Sequence, residues 1–152
     1  MSTSNRSGHS DDPFDLQRFV SAQKDDYDRA LAELRNGRKQ SHWMWYIFPQ
    51  FDGLGFSSMT KRYSIKSIAE ASAYLNHLVL GPRLTECTTA VLQTKGRSAH
   101  EIFGSPDDMK LQSCATLFAH VSSAGSLFHQ LLDAYYQGRR DEKTVQLMGK
   151  AT

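Results

Sequence analysis

SHWMWYIFPQFDGLG, residues 41–55, is the stretch on which the fold class turns. Its first eight residues suit two elements. The aromatics favour a strand, whereas Ser41 is an N-capping residue type and Pro49 would stop a helix. A strand needs a partner, and no neighbouring segment alternates apolar and polar residues with period two. The segment is therefore read as a short helix capped by Ser41 and ended at Phe48, followed by a loop from Pro49 to Ser58.

Outward from this point the chain keeps a helical period. Asp12-Pro13 pairs a capping acceptor with a residue preset for the first helical position, ahead of Phe14, Leu16, Phe19 and Val20. Tyr27, Ala30, Leu31 and Leu34 recur with one-sided helical spacing, and Gly37 is placed to end that helix. Ser67 and Glu70 have capping-box spacing before Ala71, Tyr74 and Leu75. Gly81-Pro82 opens a helix carrying Leu84, Cys87, Val91 and Leu92, with Gly96 beyond its end. Ser98 and Glu101 repeat the capping spacing for a short turn that closes at Gly104.

Ser105-Pro106-Asp107-Asp108 combines a capping serine, a proline and two acids where the helix dipole favours negative charge, and predicts a long helix to Val121. Leu127, Phe128, Leu131, Leu132 and Tyr135 predict a helix ending at Gly138, and Asp141 caps a last one with Val145, Leu147 and Met148. The expectation is an all-α single domain over residues 12–152, with about seven or eight helices in an irregular bundle or superhelical arrangement. Residues 1–11 are mostly Ser, Asn, Gly, His and Asp with almost nothing apolar, and read as a disordered tail.

Composition narrows the partners. Lys and Arg number 18 against 16 Asp and Glu, a net charge of +2, which argues against nucleic acid as the main partner. No apolar run approaches about 18 residues and no signal region opens the chain, so no membrane association and a cytoplasmic location are expected. Cys87 and Cys114 have no CxxC context and read as reduced core residues. The six histidines lack metal-ligand spacing and no GxSxG elbow occurs, so no metal, cofactor or catalytic residue is named.

The runs RFVSAQ (18–23), GRKQSHWMWYIFPQ (37–50), GLG (53–55), LGPRL (80–84), IFGSPDDMKL (102–111) and TLF (116–118) together resemble a bacterial domain family of unknown function. Its members are often labelled calpastatin-like. The resemblance spans Asp12 to Met148 and implies an all-helical superhelical fold; it implies no function, and the chain has no long inhibitor repeats that would suit the label. Leu78 stands where the family pattern suggests proline, and Cys114-Ala115 where Ser-Met is more usual. A smaller similarity, Phe19 with Ala22-Gln23-Lys24, is to a family acting on NAD and ADP-ribose derivatives.

The aromatic segment is either a packed hub or the wall of a pocket. Trp43 and Trp45 diverge by about 200° on a helix, so they face different surroundings. In the pocket reading His42, Trp45 or Tyr46 lines a cavity and stacks on a planar ligand. Gly53, Gly55 and Ser57 suit an anion approached by backbone N–H groups, with Arg62 close behind. Gln23, Lys24 and Lys39, with Arg18, Arg38 and Arg83, are polar side chains within or beside the motifs. Asp107, Asp108 and Lys110 could act as acid and base, but the two aspartates already serve a helix start. The preferred expectation is a small anionic, nucleotide-like or ADP-ribose-like ligand in a pocket made by the aromatic segment, the glycine loop and the start of the Ser105 helix. The protein would be a monomer or weak homodimer, with enzymatic activity left open. The alternative is a non-enzymatic protein–protein interaction module presenting the same aromatics as an exposed patch.

Overall fold

The computed structural model describes residues 12–151; the tail read over residues 1–11 lies outside them. Among the described residues there are ten helices: α1 Gln17–Gln23, α2 Tyr27–Arg35, α3 Met44–Ile47, α4 Ser58–Tyr63, α5 Ile68–Asn76, α6 Leu80–Gln93, α7 Ala99–Phe103, α8 Asp107–His120, α9 Leu127–Tyr136 and α10 Glu142–Ala151. The fold is all-α. An isolated parallel bridge between Phe51 and Ile65 closes the loop that carries the glycines and α4.

Two fourteen-residue helices organise the packing. α6 touches α2, α5 and α9, while α8 touches α5, α7, α9 and α10. From Ser113 to Ala119 every residue of α8 is buried. A helix apolar on all sides must be central, since no face is left for water. At the crossing of α5 onto α6 the backbones nearly touch: a Cβ on Gly81 would lie 2.1 Å from the Leu75 carbonyl oxygen. Only glycine fits there.

Several boundaries are set by the caps expected. Ser67 accepts the Glu70 N–H at 3.0 Å, Asp141 accepts that of Thr144 at 2.9 Å, and Ser98 and Glu101 form a reciprocal capping box. Three starts differ. The first helix begins at Gln17 rather than beside Pro13, with Asp15 at φ 52°, and the Asp12 carboxylate reaches forward to the N–H groups of Leu16 and Gln17. Ser41 does not cap the aromatic helix, whose N-cap is Trp43, because its hydroxyl is bound to Glu33. Ser105 does not cap α8; Pro106 occupies that position. α4, which starts at the last residue of the expected loop and was not expected, is capped by Ser57 through the Thr60 N–H at 3.1 Å.

The aromatic segment is a packed hub. Trp43, Phe48 and Phe103 form a triangle with ring centroids 5.9 to 6.5 Å apart. A second chain of rings runs from Tyr46 through Tyr63, Phe19, Tyr74 and Phe118 to Phe128. Glu33 anchors the first group, accepting the Trp43 indole N–H at 2.9 Å and the N–H groups of Gln40 and Ser41. Burial acts to raise its pKa, but these bonds and the Ser41 hydroxyl outweigh it and bring the carboxyl down to about 2.

Arg18 joins α1 to α4 and α5. Its five N–H groups are all used: on the carbonyls of Arg62, Phe14, Asp15 and Ser64, and on Glu70 at 2.8 Å. Cys87 and Cys114 are buried and unbridged. Burial pushes the Cys87 thiol up to about 12 and Cys114 also well above its ordinary value, so neither is an active nucleophile. Among the described residues no helix is long and apolar enough to cross a membrane.

Candidate functional site

A groove of about 240 Å³ lies where the end of the aromatic segment, the glycine loop and the first turns of α8 meet, closed on its far side by the start of α10. Gln50, Leu54, Gly55 and Thr60 form one wall, and Pro106, Met109, Lys110 and Ser113 another; Asp141 and Lys143 complete it. The packing of the loop fixes this shape. A Cβ at Gly55 would come within 2.8 Å of the Thr60 methyl, and Gly53, at φ 104°, lies against Leu147 of α10. A side chain at either glycine would push the loop away from its support.

The charges of the groove are unequally occupied. Asp141 is engaged as a cap, accepting from the N–H and hydroxyl of Thr144. Lys110 lies 3.5 Å from Asp107, whose other carboxylate oxygen is held by Lys39 at 2.9 Å. An ammonium has three donors, so Lys110 keeps hydrogen-bonding capacity to spare. Lys143 is exposed and makes no ion pair among the described residues, and the Gln50 side chain makes no hydrogen bond there. Lys110 also stands 5.6 Å above the Trp45 ring. Trp45 is half-buried and walls a much smaller cavity that shares Gln50 and Thr60 with the groove.

The residues expected to bind ligand are distributed widely. Gln23 is buried, donating to the Tyr46 carbonyl at 2.7 Å and the Tyr74 hydroxyl at 3.1 Å, and accepting from Arg83 at 3.3 Å. Its amide is internal glue. Lys39, 8% exposed in its side chain, is held by Asp107 and the Ser41 carbonyl and covers Trp43. Tyr46 is buried with its hydroxyl on Asp26; burial, then this bond, raises its pKa. His42 and Lys24 are exposed and line neither of these cavities. Ser57 serves as the α4 cap.

Arg62 borders a separate cleft of about 350 Å³ with Phe14, Asp15, Arg18, Lys66 and Glu70. That cleft looks basic, but Arg18 has no donor left and the Lys66 ammonium is bonded to Lys61 and Ser64. Of the expected residues, Gly55 lines the groove itself, with Gly53 and Trp45 adjoining it. Gln50, Thr60, Lys110 and Lys143 line the groove but are not among the residues expected to bind ligand. Only Lys110 had a local signal, its place one turn into the Ser-Pro-Asp-Asp helix; Lys143 arrives through tertiary packing of α10.

A family model described as "Protein of unknown function (DUF1810)" matches residues 13–148. The crystal structure of the conserved hypothetical protein Rv1873 from Mycobacterium tuberculosis is similar over 90% of this chain and 98% of that one, with 55% identity and a TM-score of 0.88. No curated protein matches the chain.

Proposed function

Because the chain belongs to the DUF1810 family of proteins of unknown function, we propose a role from the groove alone: binding of a small anionic ligand between the glycine loop and α8. The observation that carries this reading is the pair Lys110 and Lys143, two cations with unfilled donors on one concave surface. Gln50 adds an amide, and the glycine loop keeps the wall open. At about 240 Å³ the space suits one phosphate or carboxylate with a small substituent. A nucleotide-like or ADP-ribose-like molecule would therefore seat one end there. The calpastatin-like label suggests no occupant. A cytoplasmic setting, in a monomer or weak homodimer, belongs to the same reading.

The test is calorimetric titration of nucleoside monophosphates, pyrophosphate and simple carboxylates, after a thermal-shift screen. Lys143→Ala should leave the melting temperature unchanged and weaken an anionic ligand by about tenfold or more, the usual effect of losing a charge-assisted hydrogen bond. Equal affinity in the variant removes Lys143 from the site. A screen in which no anion raises the melting temperature favours the second reading, an interaction module, which Phe56 and Met109 support by standing exposed at the loop and groove.

A further inference from the structure

The lining of the groove mixes two chemistries. Lys110 and Lys143 supply charge, whereas Leu54, Pro106 and Met109 offer apolar surface. Met109 is 62% exposed, so it does not contribute to the core. Val145, the exposed apolar residue of α10, stands about 200° round that helix from Lys143 and belongs to another face. Trp45, the expected stacking platform, already carries the Lys110 ammonium over its ring. A planar group in the groove is thus offered Met109 more readily than the indole.

We infer that the ligand of this groove is an amphiphilic anion: a phosphate or carboxylate bearing an aromatic arm, its charge beside Lys110 and Lys143 and its arm on the apolar lining, Met109 foremost. The inference rests on the anion-binding reading and adds the nature of the uncharged part. Charge complementarity selects the anionic end. The unbranched thioether of Met109 can adapt to a ring and contact it through sulfur. Arm and charge are then read by different residues, which makes their contributions separable.

Inorganic phosphate, ribose 5-phosphate and phenyl phosphate, titrated by calorimetry at matched ionic strength, test the assignment. Phenyl phosphate should bind about tenfold tighter than ribose 5-phosphate, as expected for covering part of one ring. In Met109→Ser the two should become equal while inorganic phosphate is unaffected. The position is exposed, so the variant should melt with the wild type. Lys143→Ala should weaken all three probes together. No preference for phenyl phosphate, or one that survives in Met109→Ser, overturns the inference and leaves the anion-binding reading standing. Failure of all three probes to bind removes both.

Discussion

Trp43 and Glu33, ten residues apart, meet inside the core, the indole N–H donating to the carboxylate at 2.9 Å. This one bond fixes the aromatic segment against α2 and accounts for the fate of Ser41, whose hydroxyl serves Glu33 instead of a helix end. It also makes the hub depend on a charge.

Glu33 should couple folding to acid. Its folded pKa of about 2 lies below the ordinary value of 4.5, so its stabilisation is complete above pH 4.5 and is lost as pH falls through the folded value. Glu33→Gln should cost about 3 kcal/mol at pH 7, because donors are left poorly satisfied. It should also flatten the decline of stability on acidification. Urea melts from pH 7 to 2.5 measure both; an unchanged acid limb would show that other carboxylates control it.

Trp43 and Trp45 should respond differently to truncation. Trp43 is fully buried and hydrogen-bonded, and alanine there should cost about 3 to 5 kcal/mol. Trp45 is half-buried, and its truncation should cost about 1 to 2 kcal/mol, scaling with the smaller area removed from water. Chemical denaturation compares them directly. Equal losses would place Trp45 in the core.

Gly81→Ala should be harmful despite its position inside a helix. Alanine ordinarily gains about 1 kcal/mol over glycine there, but the new methyl would strike the Leu75 carbonyl at 2.1 Å. Backbone cannot swing aside as a side chain does, so a loss of about 3 kcal/mol or more is expected. A rise in the melting temperature would mean that α5 and α6 separate easily.

Ser98→Ala and Ser105→Ala should differ although both precede helices. Ser98 sits in a capping box, and its loss should cost about 1 kcal/mol. Ser105 is exposed and makes no cap bond, so its variant should stay within about 0.5 kcal/mol of wild type. Thermal unfolding of the pair decides between them.

Helix type and order were legible because period and caps are local. The short α4 was missed because SMTKRY has no apolar period; the usable signal was Ser57 three residues before Thr60. The groove's location was legible in outline, since the glycine loop and the α8 start do meet there. Its donors were not. Gln23 and Lys39 look available in sequence, yet the partners that occupy them, Tyr74 and Arg83 for one and Asp107 for the other, lie more than fifty residues away. Lys143 enters the groove from the last helix for the same reason.

Arg18 satisfies all of its N–H groups within the protein, so its removal leaves a vacancy with the outline and acceptors of a guanidinium ion. A denaturant then becomes a ligand. In Arg18→Ala, low concentrations of guanidinium chloride should raise the melting temperature before higher concentrations lower it, whereas matched sodium chloride should not. Wild type should decline from the first addition, and a monotonic decline in the variant as well would show that the vacancy collapses.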